Sequence, residues 1–450
     1  MSAIDSPPRP RFDFFSLERI EETLEAVLES SPADETELVW FEVRRRGVTN
    51  RGRRRRRRPR HEKTILVRVH EGGRVGTHRT EARTVGEIEH AIRQAIAQSR
   101  IHQPIPGLPH LPADPQPTPD LDGLFDEQVA GLSARQAERI VGQARDGEHA
   151  RLDWGEARVA VFNSRGVRRR AAVTSADLTV RYKPAPGSGR AEACARTLDR
   201  LAPEAVFDRA RRHHAEDEPG ELPGLPTRTV LAPEATVVLC DLLNRTAFTA
   251  HAYQDGSSFL REHLGIQVFD RRIRLYDDGT DPSGLPFPFD LEGTVKRRVE
   301  LILDGTPKTP ALDERKAAQL GLPATGHAIT GGDARAENVF LAPGGQTESE
   351  LLALADGGLW IGSLTQAECF DGRRMKVRSV AHGVRQIRNG ELAEPLPDLL
   401  WEDSLLRVFS HLLGLGDETV SVGIDRGLSG GVTAPAIALA DVDGLSLSPS

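Results

Sequence analysis

Residues 248–265 read FTAHAYQDGSSFLREHLG, which brings two histidines, an aspartate and a glutamate into one short stretch. These are the side chains of a zinc hydrolase, which needs two histidines about one helical turn apart, a glutamate base beside them and a third ligand from elsewhere. The spacing does not supply that. His251 and His263 are twelve residues apart, ~18 Å along one helix, whereas two ligands of one ion each sit at ~2 Å. Ala252 stands where the base would follow His251, Asp255 is a weak substitute ligand, and His327, in TGHAITGG, has no pattern around it. The three histidines are read as bystanders, and an atypical metal site built from His251, His263 and His327 is kept as an alternative.

Two further clusters carry charge in a suggestive pattern. Asp290 and Glu292, in FDLEG, would share one face of a strand and there serve acid–base chemistry or hold a peptide amine, although carboxylates so placed more often cap turns. With Gly293 and with Asn338 of ENVFLAPGG they form a candidate peptide cleft. The second cluster, RRRGVTNRGRRRRRRPR at residues 44–60, holds eleven arginines. Arg53, Arg54, Arg55, Arg56, Arg57 and Arg58 are candidate contacts to a polyanion such as nucleic acid, but the stretch lacks an aromatic residue for base stacking, and a solvated hairpin extension is the plainer reading. No GxSxG, GxxxxGK[ST] or strand-linked GxGxxG occurs.

The elements that must position these residues follow from periodicity. Residues 16–30 place Leu17, Ile20, Leu24, Val27 and Leu28 at helical spacing, and ELVWFEV predicts a strand over 37–43. KTILVRVHEGGRVGTHRTE alternates around Gly72 and Gly73 as a hairpin, and Thr84 and Glu87 stand in capping-box register before a helix. Seven prolines in 103–120 make a connector. A helix opening at Ser133 and a hairpin turning at NSRG complete the half. Polar, proline-bearing residues 213–226 mark the boundary, after which Pro233 opens a helix and short β-like runs continue to residue 450. The expected fold is therefore α+β with two domains: an N-terminal helix, strand, hairpin, helix domain over 1–226, with its arginine-rich extension 44–60 and connector 103–120, and a β-rich, barrel-like domain over 227–450.

Composition narrows the class. With 38% hydrophobic and 28% charged residues and no long apolar run, nothing predicts a membrane span. MSAIDSPPRPRFDFF lacks the basic start and apolar stretch of a secretory signal, so a cytoplasmic location is expected. Cys194, Cys240 and Cys369 are odd in number and far apart, which excludes a disulfide framework or CxxC zinc knuckle. A net charge of -7 gives no whole-molecule attraction to nucleic acid.

The succession SSFLREHLGIQVFDRRIRLYDDGTDPSGLPFPFDLEG, ELILDGTPKTPALDERKAAQLGLPATGHA and ENVFLAPGG closely resembles the TldD/PmbA family, also called modulators of DNA gyrase. The resemblance implies a two-domain subunit that pairs with a related subunit around a proteolytic chamber acting on unfolded or modified peptides. It also implies two branches: a TldD branch with an HExxxH zinc motif upstream of the SSFLREHLG-like block and a cysteine ligand near the C-terminus, and a TldE/PmbA branch lacking both. Counted back from Gly265, the motif should fall at DLLNRT, 241–246, which holds no histidine and no glutamate, and no cysteine follows Cys369. The resemblance thus implies a metal-free TldE-like subunit with no cofactor of its own, zinc being expected in a TldD-type partner. A homodimer is the other pairing, and a self-associating polyanion binder using 51–60 is the alternative from the binding class.

Overall fold

The structure is a computed structural model describing residues 17–50, 59–81, 84–113, 117–221, 228–329, 333–424, 430–442 and 444–447. The arginines 53–58 and the expected boundary at 226/227 lie outside the described residues.

The N-terminal half is one antiparallel sheet. Its strands are β1 (Glu35–Thr49), β2 (Arg60–Glu71), β3 (Arg74–Thr80), β4 (Glu148–Asn163), β5 (Arg168–Tyr182) and β6 (Arg190–Ala195), in the order β3-β2-β1-β4-β5-β6. The predicted strand at 37–43 is longer than its apolar core, because the backbone at 44–46 goes on pairing with β4, and at 44 and 45 with β2, while the largely covered Arg44 guanidinium lies between Glu42 and Glu156. Gly72 and Gly73, both at positive φ, make the two-residue turn between β2 and β3. Alternation sorts the strands into two faces. Leu38, Trp40, Ile65 and Val67 pack under α1 (Leu17–Glu29) and α2 (Val85–Ser99), whose capping box at Thr84 and Glu87 is formed. Glu37, Val39, Phe41 and Val43 face the other way, toward the C-terminal half.

The C-terminal half contributes β7 (Thr229–Leu231), β8 (Leu275–Asp277), β9 (Val299–Leu303), β10 (Thr306–Pro307), β11 (Asn338–Leu341), β12 (Leu359–Ile361), β13 (Ser363–Asp371), β14 (Lys376–His382), β15 (Arg385–Arg388), β16 (Glu391–Pro395), β17 (Leu399–Ser404), β18 (Leu412–Gly423), β19 (Gly431–Leu439) and β20 (Leu445–Leu447). One sheet runs β10-β9-β8-β11-β19-β7-β12-β15-β16 with β18 on β19, and a second runs β13-β14-β17-β20. Among the described residues neither order closes on itself, so the barrel-like expectation resolves into two sheets sharing one core. The helix Pro233–Ala247 fills that core with Val237, Leu239, Leu242 and Leu243. Among the described residues no helix is long and apolar enough to cross a membrane.

Candidate functional site

The two halves meet where the sequence had suggested a cleft, and the meeting is made by the loop from Asp278 to Gly293. Asn338 starts it: its Nδ2 donates to the carbonyls of Asp278 (2.6 Å) and Asp281 (3.2 Å), and its Oδ1 accepts from Leu285 N (2.7 Å). Arg196, buried at the end of the N-terminal sheet, then donates to the carbonyls of Leu285 (3.1 Å) and Pro286 (2.9 Å), and burial lowers its guanidinium to about 10. Phe287 and Phe289 enter the second face of the sheet among Val39, Val159, Val161 and Val173. Each buried phenylalanine contributes about 1.5–3 kcal/mol relative to exposure.

Asp290 and Glu292 are not on a strand. Asp290 Oδ1 accepts from the amides of Glu292 and Thr294, both at 2.9 Å, which folds the chain into a turn, and Oδ2 accepts from Ala328 N at 2.9 Å. An aspartate that can satisfy two amides ahead of it wins over the extended backbone the alternation predicted. Gly293 completes the turn at φ +81°, with its carbonyl accepting from Arg169 Nε at 3.0 Å; a Cβ there would lie 2.4 Å from Val167 Cγ1. Only glycine fits both requirements. Burial, with the Glu292 carboxylate adding to it, holds Asp290 well above the usual carboxylate range despite its three amide donors.

Glu292 turns the other way, into the seam. Its Oε1 accepts from Arg68 of β2, whose other terminal nitrogen donates to Glu37 Oε2 of β1 at 2.8 Å. Its Oε2 accepts from Glu314 N at 3.1 Å. One guanidinium thus serves two buried carboxylates from the two halves. Burial raises Glu37 to about 7, with Arg68 opposing and Glu292 adding to the rise. Burial pushes on Glu292 as well, but there Arg68 and the Glu314 amide prevail and hold it below its ordinary value. Nearby His70 is lowered to about 4 by burial and by Arg68.

Beside this triad the sheet face and the C-terminal half leave a groove in two parts. The first cavity, about 440 Å³, is lined by Val39, Leu66, Arg68, Leu111, Leu291 and Glu292 among others. The second, about 410 Å³, is lined by Phe41, Val43, Arg45, Arg60, Val159, Phe287, Arg335 and others. Leu66, Arg79, Leu291 and Ile329 line both, so the two are continuous. An apolar floor with a few convergent charged groups at a domain seam is the usual form of a ligand site. Of the four residues assigned to a cleft, Glu292 lines it, whereas Asp290, Gly293 and Asn338 are held in the joint alongside. Arg68, Arg196 and Arg335 were not singled out from the sequence, because an isolated arginine in an arginine-rich chain gives no local signal of burial.

The histidines go to three different places. His251 is exposed and near Asp255 (3.4 Å), while His263 Nδ1 contacts its own helix at Phe259 O (3.0 Å). His327 is fully buried, with Nδ1 on Thr325 Oγ1 (2.8 Å) and Nε2 on Asp277 Oδ1 (2.7 Å), so both ring nitrogens are engaged. Among the described residues no three histidine, cysteine, aspartate or glutamate side chains converge as a ligand set. Residues 241–246 lie on the helix Pro233–Ala247. There Asp241 pairs with Arg245 at 3.2 Å, and Asn244, fully buried, donates Nδ2 to Ala336 O at 2.9 Å. These side chains do not fit zinc: one carboxylate is already paired, and an amide, a guanidinium and a hydroxyl follow.

Residues 226–444 match a family described as the PmbA/TldA metallopeptidase C-terminal domain. A metalloprotease of Methanothermobacter thermautotrophicus is 27% identical over 194 residues, 42% of this chain and 42% of that relative. An uncharacterized protein of Methanocaldococcus jannaschii is 36% identical over 106 residues, 23% of this chain and 25% of its own length. The matched segments thus span less than half of these curated relatives. Among solved structures, a protein from Thermotoga maritima named for modulation of a DNA gyrase superposes with a TM-score of 0.81 at 18% identity, covering 95% of this chain and 100% of that one. TldE from Thermococcus kodakarensis gives 0.80 at 16% identity, covering 94% and 100%. These likenesses establish the fold.

Proposed function

We propose, from the premise that this chain belongs to the PmbA/TldD metallopeptidase family, that it is a TldE-like subunit that shapes the peptide path of a zinc protease without performing the cleavage. The observation that carries this is the helix Pro233–Ala247. Counted back from Gly265, the family resemblance would put the zinc motif of the other branch on this helix, which instead carries Asp241, Asn244, Arg245 and Thr246. Asn244 is fully buried and ties the helix to Ala336 through Nδ2, its Oδ1 having no hydrogen-bond partner among the described residues, so the position is part of the core. The zinc, the water it activates and the general base then belong to a TldD-type partner, in a complex acting on unfolded or modified peptides in the cytoplasm. Within this reading the chain contributes binding surface, which is what the groove at the seam offers.

Purified alone, the chain should bind no stoichiometric zinc and hydrolyse no unfolded peptide. Mixed with a zinc-bearing family member from the same source, it should yield chelator-sensitive peptidase activity above that of the member alone. Chelator-sensitive hydrolysis by this chain alone would sink the proposal.

A further inference from the structure

Away from the groove, the sheet β13-β14-β17-β20 carries a hydroxyl, an imidazole and a carboxylate in line. Thr365 Oγ1 lies 2.7 Å from His382 Nε2, and His382 Nδ1 lies 2.7 Å from Asp398 Oδ2. The strand register puts them there. Thr365 stands opposite Val380 and Val380 opposite Leu400, so these three share a face with His382, two residues beyond Val380, and with Asp398, two residues before Leu400. All five are half-buried, whereas Leu364, Ala381 and Leu399 at the alternate positions pack into the core.

The carboxylate fixes the direction of the hydrogen bonds. An ionised Asp398 only accepts, so His382 Nδ1 carries the proton, Nε2 of the neutral ring keeps its lone pair, and the Thr365 hydroxyl donates to it. That is the polarity of a nucleophile, its general base and the group that orients the base. A second row of threonine, histidine and aspartate in the molecule shows what sets this one apart. Thr325, His327 and Asp277 are also hydrogen-bonded in order, but the Thr325 hydroxyl donates to Leu312 O (3.1 Å) and accepts from Leu312 N (2.7 Å), and His327 is fully buried. Thr365 Oγ1 makes no other hydrogen bond among the described residues, and the side chains of His382 and Asp398 are 34% and 39% exposed. Just past Thr365 the register shifts, leaving Gln366, at φ 50°, and Ala367 opposite no residue of β14.

We propose that Thr365, His382 and Asp398 form an acyl-transfer site that needs no metal and hydrolyses small carboxylic esters with a short aliphatic acyl group. Thr365 Oγ1 attacks the carbonyl carbon while its proton passes to His382 Nε2, and the amides of Gln366 and Ala367, which follow the nucleophile along the strand, receive the oxyanion. On collapse the bond from the acyl carbon to the leaving oxygen breaks, and the alcohol takes its proton from His382, leaving acyl-Thr365. Water then attacks the acyl carbon and gives a proton to His382; the acid departs as Thr365 Oγ1 recovers that proton. Val380 and Leu400, on the same face, offer apolar contact to a few methylenes. Asp398 is a positioning residue that holds the tautomer of His382.

The test is hydrolysis of p-nitrophenyl butyrate by the full chain with EDTA present throughout. Wild type should release p-nitrophenolate above the buffer rate. T365V, which keeps the side-chain shape, and H382Q should each lower kcat/KM by at least about a hundredfold. T365S should retain at least about a tenth of the wild-type value, and D398N should lower kcat by at least about tenfold with KM within about twofold, all with unchanged circular dichroism. T365S and H382Q keep the test standing if T365V does not fold. No hydrolysis above buffer, a T365V rate equal to wild type, a T365S rate no higher than that of T365V, or a loss in H382Q that no Thr365 variant shares overturns the proposal. A D398N kcat equal to wild type overturns the role given to Asp398. The chelator keeps the result distinct from the subunit assignment, which rests on chelator-sensitive hydrolysis of peptides by the mixture.

Discussion

Replacing Glu37 with glutamine should make the protein more resistant to heat at pH 8 and leave it almost unchanged at pH 5. The carboxyl lies between β1 and the seam, facing Arg68 and Glu292, and beyond these stand His70, Asp290, Asp313 and Arg315. Burial first, and the Glu292 charge second among the raising causes, lift it from 4.5 to about 7 against the pull of Arg68. A carboxyl raised in the folded state holds its proton more tightly there than in the unfolded chain. Its penalty is absent below about 4.5, grows as the pH climbs, and is complete above about 7. The difference between 7 and 4.5 sets a ceiling of ~3 kcal/mol at ~1.4 kcal/mol per unit.

Glutamine can still accept from Arg68 but carries no charge, so E37Q should recover part of that ceiling, about 1–2 kcal/mol at pH 8. For a domain of 150–250 residues this is roughly 2–8 °C in Tm. Thermal melts of wild type and E37Q from pH 5 to 9 at fixed ionic strength give the comparison, and the two curves should separate between pH 5 and 7. A variant that melts lower than wild type at pH 8 by as much as at pH 5 would mean that Glu37 is ionised and net favourable beside Arg68. That result would refute the reasoning.

Glu292, held below its ordinary value, should behave oppositely: E292Q should be destabilised by about 1–3 kcal/mol at pH 7, and the loss should fade as the pH falls through the carboxylate range, as a urea titration at several pH values would record. Arg196→Met leaves the carbonyls of Leu285 and Pro286 without their buried donor and should cost about 2–4 kcal/mol by thermal denaturation, with the C-terminal loop becoming accessible to protease first. Gly293→Ala sets a Cβ 2.4 Å from Val167 Cγ1 at φ +81°, so it should destabilise by at least about 2 kcal/mol and increase amide exchange in the turn at 290–294.

The N-terminal half was legible because its signals are local. The capping boxes at Thr84 and Ser133, the Gly72-Gly73 turn and the NSRG turn each set geometry within a few residues, and each forms where the sequence puts it. The C-terminal half was less so: RRIRLYDD reduces to the three-residue strand Leu275–Asp277, because Asp277 is drawn into the core by His327 and by the amides of Glu337 and Asn338. No periodicity announces a partner some fifty residues away. At FDLEG the structure has the turn-capping role that the sequence also allowed, rather than the strand. Alternation put Asp290 and Glu292 on one face, while two amides ahead of Asp290 bent the backbone and sent the carboxylates to opposite sides of the joint. The groove itself could not be read from the sequence, since its floor comes from β1, β2 and β4 and its far wall from the loop that carries Phe287 and Leu291.

The helix at 233–247 was placed correctly from Pro233 and its apolar spacing, and its chemistry was read by what it lacks. Its surroundings add a positive statement. Asn244 fastens the helix to Ala336, and the residue before Ala336 is Arg335, which lines the second cavity and whose buried Nε has no hydrogen-bond partner among the described residues. A guanidinium attracts carboxylates as a metal would, but it carries no water of lowered pKa and no open coordination position. On the proposed reading, then, the loss of the ligands and the presence of Arg335 act in one direction. Attack on the peptide bond is then the partner's task, and this chain's part is to offer binding surface.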